Sequence, residues 1–409
     1  MKTMIKSMLF ASAAVVALDA AAGATPVSQG PTLSFGGSVT GYGVATNQKV
    51  RLQGNAPTTN FVSKGNLILS VGGSASNGMG YGAVGVMSFD RAKTGNDRIS
   101  ELYIYGNHDM LGSMKLGDTE GVTSIMMYTG DDTLGGLGAA SGDLDKLINV
   151  TRGVNFRPTI APANDKATKI VWLSPEYKGF QIGVDFTPST KLYGREEHGT
   201  KISNGNIKNN TVRPYSTNLV SGGLSYNKTF QYCNLGLYLV GHTGNSRNDN
   251  PGNVGASTAQ FSKTKAWQAG TLLDYKNFQL AASYFDNKKS LVRHNGVNIG
   301  NHTNTKGVNA GIGYDFARNA NIGVGYTHAY RTVTGGKAKA DIATLTLDYV
   351  VAPGWVAFAE VDHFKLRAPA ATITSTDLTT DGSDIHAERD TRNGNNHGTA
   401  VILGTKVRF

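Results

Sequence analysis

The sequence predicts an all-β protein, a transmembrane antiparallel β-barrel of about sixteen strands. The first observation is that apolar and polar residues alternate along most of the chain from Thr32 onward, which is the period of a strand with two different faces. The second is a strict alternation of short turns and long polar loops between these strands. The third is the final stretch, Asn396 to Phe409, in which Val401 and Leu403 share an apolar face while Lys406 and Arg408 project from the other.

The strand predictions follow the alternation in chain order. They are 32–46, 61–74, 81–90, 98–106, 112–117, 168–177, 180–187, 217–228, 234–242, 263–275, 278–287, 306–316, 320–331, 338–351, 355–366 and 396–409. An even number of strands of this length, with short turns at one rim and long loops at the other, is typical of barrels that cross a membrane. A soluble β-sandwich or propeller also has many alternating strands. A sandwich, however, buries the apolar face of each sheet against a second apolar sheet. Here the interior face is polar, so the apolar faces must contact something else, and lipid fits.

Aromatic residues near the strand ends add to this interpretation. We expect them to form a girdle at the short-turn rim of the barrel. They are Phe180, Tyr275, Phe278, Tyr314, Phe316, Tyr349, Trp355 and Phe409.

The N-terminus has the three parts of a secretory signal peptide, which we assign to residues 1–24. Lys2 and Lys6 precede an apolar run from Met8 to Leu18, and the small residues 20–24 supply a cleavage site after Ala24. Residues 25–409 then form a single barrel domain. Cleavage changes the formal net charge from +10 to +9, and the basic residues are scattered rather than clustered on a helix, so nucleic-acid binding is not predicted.

One connection is too long for an ordinary loop of a compact domain. The segment 118–166 follows the fifth predicted strand, is rich in glycine, and contains six carboxylates. A loop of this length without strand periodicity indicates a functional element. Its carboxylates are Asp118, Glu120, Asp131, Asp132, Asp143 and Asp145.

This order of elements resembles the general diffusion porins of Gram-negative bacteria, whose sixteen-stranded barrels carry a long third loop. The residues that carry the resemblance are the strand and loop start 112–121, the long acidic segment after it, and the terminal Phe409. The resemblance implies a cell outer-membrane location, a homotrimer, contact with outer-membrane lipid and lipopolysaccharide, and passive diffusion of small hydrophilic solutes and ions. It also implies that the long third loop folds into the lumen, and that Phe409 is the signal read by the barrel-assembly machinery.

We expect the inward loop to face basic residues of the wall. The candidates are Lys64, Arg91, Arg98 and Lys115, opposite the six carboxylates of 118–166. Opposed charges across a narrow lumen decide which ions pass. The surplus of basic residues, with Lys406 and Arg408 facing inward, predicts a weak anion preference.

Other functions have weaker support in the sequence. We predict no catalytic residues, no metal site and no cofactor, because no Ser/His/Asp arrangement has local support and the nine histidines lack a paired ligand spacing. Residues 80–85 match G-x-G-x-x-G, but no helix follows them. The alternatives that stay open are a substrate-specific outer-membrane channel, an outer-membrane barrel enzyme and an adhesin.

Overall fold

The computed structural model describes residues 29–49, 58–89, 99–139, 144–150, 154–160, 165–190, 214–248, 261–290, 304–333, 336–369 and 395–409. These residues form one closed barrel of sixteen strands. The predicted barrel is therefore confirmed. The predicted signal peptide lies outside the described residues and stays a prediction.

The strands follow one another around the barrel in chain order. They are β1 (Gln29–Gln48), β2 (Thr59–Ser74), β3 (Gly80–Ser88), β4 (Ile99–His108), β5 (Gly112–Asp118), β6 (Thr168–Leu173), β7 (Phe180–Ser189), β8 (Pro214–Thr229), β9 (Cys233–Asn248), β10 (Thr264–Tyr275), β11 (Phe278–Asp286), β12 (Thr305–Ala317), β13 (Ala320–Val333), β14 (Gly336–Ala352), β15 (Trp355–Arg367) and β16 (Asn395–Arg408).

The barrel closes between its first and last strands. β1 pairs antiparallel with β2 on one side and with β16 on the other. At the end of this seam, the backbone N–H of Gly37 donates to the carbonyl of Phe409 at 2.9 Å, and the N–H of Phe409 donates back to Gly37 at 3.1 Å. The terminal aromatic residue is thus fixed by its backbone in the closing ladder, which removes the free edges of the sheet.

The short turns contain glycine or polar residues that adopt a positive φ. Lys178 and Gly179 have φ values of 53° and 92° between β6 and β7, and Lys276 has 55° between β10 and β11.

β6 ends at Leu173, earlier than predicted, because Pro175 has no N–H for the ladder. β9 is longer than predicted and extends through Asn248 toward the long loops.

The outer face is apolar and ends in aromatic residues at the short-turn rim. All eight predicted girdle residues are exposed on this face. Phe180 packs against Tyr226, and Phe278 packs against Tyr314, each pair with ring centroids 4.6 Å apart. Such a band, with aromatics at its border, is the surface that a barrel presents to lipid.

The apolar core lies inside the barrel, between the wall and the long connection from β5 to β6. We call residues 119–167 the inner loop. Its short helices are Val122–Ile125, the 3-10 helix Gly130–Thr133 and Leu144–Leu147. Val122, Met126 and Ile160 of this loop are buried in the same cluster as Val240 and Ile342 of the wall. Among the described residues, no helix has the length and apolarity that a membrane span requires.

Candidate pore and inner loop

The inner loop is held against the wall by polar side chains that accept hydrogen bonds from its backbone. On β7, Asp185 Oδ2 accepts the N–H of Val122 at 2.6 Å. On β12, Asn309 Oδ1 accepts the N–H of Gly130. Because both loop residues lie at the start of short helices, whose first N–H groups lack partners in the helix, the wall supplies the missing acceptors.

The next acceptors lie on β14 and β15, further around the barrel. Thr346 Oγ1 accepts the N–H of Gly135 at 3.0 Å, and Asp348 Oδ1 accepts that of Gly136 at 2.7 Å. On β15, Glu360 Oε2 accepts the N–H of Leu137 at 2.6 Å and that of Gly138 at 3.1 Å. Four successive backbone N–H groups are therefore bound by the wall.

The loop reaches the seam of the barrel and then returns. At the seam, Gln48 Oε1 accepts the N–H of Asn149 at 2.9 Å, while Asn396 Nδ2 donates to the Asn149 carbonyl at 2.7 Å. On the return, Gln268 of β10 donates to the carbonyl of Pro158 at 3.0 Å. The described parts of the inner loop thus contact the inner side of the wall from β7 to β1.

The base of the loop is organised by one buried lysine. Lys169 Nζ donates to the carbonyls of Thr119, Asp165 and Ala167, which joins both ends of the loop. Ser124 Oγ donates to Asp165. Burial raises the pKa of the Asp165 carboxyl to about 6, despite the nearby Lys169 and the hydrogen bond from Ser124.

The first three predicted carboxylates have different environments. Asp118 is paired in register with Leu102 and Thr168, which places it on the outer face of the barrel, where it accepts a hydrogen bond from Thr168 Oγ1 at 2.5 Å. Glu120 lies 3.8 Å from Lys166 Nζ, which also contacts the buried Glu101. Asp131 is buried and accepts a hydrogen bond from Asn309 Nδ2 at 3.1 Å.

Two further carboxylates stabilise the loop itself. Asp132 Oδ2 accepts the N–H of Thr129 at 2.5 Å and forms a capping box with it. Burial raises the pKa of Asp132 to about 6. Asp145 forms an ion pair with Arg157 at 2.6 Å. Asp143 lies outside the described residues.

Two of the four predicted basic residues lie on the inner face. Lys64 of β2 is placed over the ring of Tyr42, 5.8 Å from its centroid, and Lys115 of β5 over Tyr103 at 5.2 Å. Arg91 and Arg98 lie outside the described residues. Lys406 and Arg408, on β16, also face inward, and Lys406 lies within electrostatic range of Lys64.

The sequence interpretation missed the acidic residues of the wall. Asp185, Asp348, Glu360 and Asp362 occupy inward positions and contact the inner loop or one another. Their strand phase is visible in the sequence, because Glu360 and Asp362 alternate with the outward Val361.

Glu360 and Asp362 form a close acidic pair beneath the loop. They lie two positions apart on the inner face of β15, and both are buried. Asp362 Oδ1 accepts a hydrogen bond from Thr344 at 2.9 Å, while Glu360 Oε1 and Asp362 Oδ2 are buried without a partner in the described part of the chain. Within the same residues, no group of three His, Cys, Asp or Glu side chains is arranged to hold a metal ion.

One row of the wall contains the residue types of a hydrolase triad, but not its hydrogen bonds. Asp185, Ser221 and His242 lie directly opposite one another on β7, β8 and β9. Ser221 donates to Asp185 at 2.8 Å, whereas His242 Nδ1 has no partner among the described residues. A triad needs serine bound to histidine and histidine bound to aspartate. This row is buried and supports the inner loop.

Comparisons with known proteins agree with this architecture. The chain matches the family model for Gram-negative porins over residues 11–369. It is 24% identical over 366 residues to an uncharacterized protein of Rickettsia conorii, covering 78% of each chain.

Solved structures with the same fold include the Salmonella typhi OmpF complex with daunomycin, with a TM-score of 0.57 and 12% identity over 93% of this chain and 98% of that one. They also include the trimer form of in-vitro folded OmpT of Vibrio cholerae, with a TM-score of 0.55 and 8% identity over 93% of this chain and all of that one. The chain therefore belongs to the Gram-negative porins, as a multi-pass β-barrel of the cell outer membrane.

Proposed function

We propose that the protein forms a water-filled channel for the passive diffusion of small hydrophilic solutes and ions. The observation that carries this proposal is the row of wall acceptors, from Asp185 to Glu360, that fixes the inner loop inside the barrel. A sixteen-stranded barrel is wide enough to leave an aqueous lumen. A loop held inside it narrows that lumen without filling it, and so sets the size limit for solutes.

The constriction has basic and acidic sides in this proposal. Lys64, Lys406 and Arg408 line the seam side, and the carboxylates that hold the loop line β7 to β15. Since Asp131, Asp132 and Asp145 are engaged in contacts of the loop, the cations have more influence on passing ions. We infer a weak anion preference on this basis.

The assembly is proposed to be a homotrimer in contact with outer-membrane lipid and lipopolysaccharide. One solved structure of the same fold is described as a trimer form.

The exposed ring of Phe409 at the end of the closing strand is proposed as the signal for the barrel-assembly machinery. The segment 118–166 is proposed as the constriction loop, and residues 1–24 as a cleaved signal peptide.

Recording in planar bilayers tests the channel proposal. Purified protein should insert in steps of equal conductance, and the current should increase linearly with salt concentration. Protein that runs as a monomer under non-denaturing conditions and conducts no ions would overturn it. For a substrate-specific channel, the flux of one solute would instead reach a maximum as the concentration of that solute rises. For an outer-membrane barrel enzyme, substitution of a single Ser or His would abolish the activity.

A further inference from the structure

We propose that a cavity at the short-turn rim binds short peptides through their terminal ammonium and carboxylate groups. We call it the rim cavity, and its polar lining includes Glu176, Asn227, Lys228, Asn234 and Asp274. Its volume is about 540 Å³, which lies within the range of about 300–1,000 Å³ that small-ligand sites have. The inference gives a solute class to the proposed channel, and it rests on that proposal for the route by which a peptide reaches the cavity.

Strand register brings the polar residues of the rim cavity together on the inner face of the wall. Asp274 of β10 lies directly opposite Asn234 of β9. Two residues further along β9, Gly236 lies directly opposite Asn227 of β8. A Cβ on Gly236 would be 3.0 Å from Asn227 Oδ1 and 3.2 Å from a ring carbon of Tyr128, so the glycine leaves space between the wall and the inner loop.

Two opposite charges line the rim cavity without partners in the described part of the chain. Neither the Glu176 carboxylate nor the Lys228 ammonium forms an ion pair or a hydrogen bond there. The ammonium of Lys178 lies over the ring of Tyr177, 5.2 Å from its centroid, so Lys228 is the cation that is left for a carboxylate. Asp274 adds a second carboxylate to the acidic side. Because Glu176 and Lys228 do not pair with each other, a solute that carries both charges can contact both at once.

Two asparagine side chains supply neutral hydrogen-bonding groups to the same cavity. Asn227 Oδ1 accepts a hydrogen bond from the Tyr128 hydroxyl at 3.3 Å. Asn227 Nδ2 and the side-chain amide of Asn234 have no hydrogen bond within the ranges that the structure covers. A side-chain amide both donates and accepts, as a peptide bond does. The rim cavity therefore offers a carboxylate for a peptide's ammonium, an ammonium for its carboxylate and amides for its backbone.

The rim cavity borders the inner loop through Tyr128. The carboxylates of Glu176 and Asp274 lie within electrostatic range of the Tyr128 hydroxyl. The Tyr128 ring packs edge-on against Tyr238 of the wall, with ring centroids 5.7 Å apart. A peptide that reaches Asn227 therefore lies beside the loop that narrows the lumen in the proposed channel.

The test measures peptide binding charge by charge and does not require conduction. Purified protein in neutral detergent is titrated by ligand-observed NMR with the dipeptide alanyl-leucine, with its N-acetyl form, which lacks the ammonium, and with its C-terminal amide, which lacks the carboxylate. The variants are Glu176→Gln and Lys228→Gln. The matched controls are Asp315→Asn, at the short-turn end of β12, and Lys276→Gln, in the turn between β10 and β11.

We expect each variant to lose only the contact that its charge makes. Glu176→Gln should weaken the binding of alanyl-leucine and of its amide about fivefold and leave that of the N-acetyl form unchanged. Lys228→Gln should weaken the binding of alanyl-leucine and of the N-acetyl form and leave that of the amide unchanged. Both controls should bind alanyl-leucine as the wild type does. A misfolded variant would instead bind all three probes more weakly.

Three results would overturn the proposal. They are no binding of alanyl-leucine to the wild type, an equal loss for all three probes in each variant, and binding of the diamine cadaverine as tight as that of the dipeptide. Conductance in salt alone is recorded for the same proteins. A wild type that conducts but binds no dipeptide would contradict this inference and leave the channel proposal intact, whereas binding without conduction would contradict the channel proposal alone.

Discussion

Glu360 on β15 and Leu137 in the inner loop are joined by a hydrogen bond of 2.6 Å from the Leu137 N–H to Glu360 Oε2. The same oxygen accepts the N–H of Gly138, so one carboxylate binds a complete turn of the loop. A buried backbone N–H that loses its acceptor costs about 1–3 kcal/mol. The far part of the loop is therefore attached to the wall through a small number of strong contacts.

Replacing Glu360 by Ala should release this turn. The variant leaves two loop N–H groups without their acceptor, and we expect increased open-channel noise and a loss of about 2–4 kcal/mol in loop attachment. Glu360→Gln keeps an acceptor oxygen and should have a smaller effect. Single-channel recording should show the most open-channel noise in Glu360→Ala, less in Glu360→Gln and least in the wild type. Equal noise in Glu360→Ala and the wild type would contradict the prediction.

Close approach of the loop to the wall predicts an effect of side-chain size at Gly311. A Cβ there would overlap the backbone oxygen of Gly130, whereas a Cβ at Gly41 meets nothing within 4 Å. Gly311→Val should displace the 3-10 helix into the lumen and lower conductance, at a cost of about 1–3 kcal/mol in stability. Gly41→Ala should conduct as the wild type does. Identical conductance of the two variants would show that the loop does not depend on this contact.

The barrel was predictable because each strand carries its own signal. In Phe180 to Thr187, for example, the period of two separates lipid-facing Phe and Ile from polar residues, and this pattern needs no information from distant parts of the chain. The end of β9 was less predictable, because beyond His242 both faces of the strand become polar near the long loops.

The contacts of the inner loop were not predictable in the same way. Asp185 and Val122 are 63 positions apart, and nothing local to Asp185 indicates that it binds a loop. A partial signal does exist in the glycines of β12 and β13. Gly311 and Gly313 alternate on the inner face beside Gly323 and Gly325, and such small positions on neighbouring strands indicate that another backbone approaches closely.

The capping residue Asp132 predicts a pH dependence of loop attachment. Its folded pKa of about 6 lies above the ordinary value of 3.8, so the folded loop favours the protonated form. The associated stabilisation, on the order of 2–3 kcal/mol, is complete below about pH 4 and is lost as the pH rises through 6. Hydrogen exchange of the amides in 129–133 should become faster from pH 4 to 7 after correction for intrinsic rates. Asp132→Asn should make the exchange rates of these amides nearly independent of pH after the same correction. If the rates in that variant change with pH as they do in the wild type, another group is responsible for the pH dependence.

The basic side of the lumen predicts the direction of ion selectivity. Replacing Lys64 and Lys406 by Gln should shift the reversal potential in a salt gradient toward cations. The shift should be larger near 0.1 M salt than near 1 M, because screening shortens the range of a charge from about 10 Å to about 3 Å. Lys178→Gln, in a turn at the rim, should leave the potential unchanged. A cation-selective wild type whose potential does not respond to the double variant would show that the wall carboxylates dominate.

The conductance of a loop-deletion variant tests the account most directly. Removing residues 129–140 takes away the 3-10 helix and the turn bound by Asp348 and Glu360. If the inner loop forms the narrowest part of the channel, single-channel conductance in a planar bilayer should rise clearly above that of the wild type. The double variant Lys178→Gln/Lys276→Gln, in two turns of the short-turn rim, should conduct as the wild type does. A deletion of 129–140 that folds, inserts and conducts as the wild type does would contradict the assignment of the inner loop as the constriction.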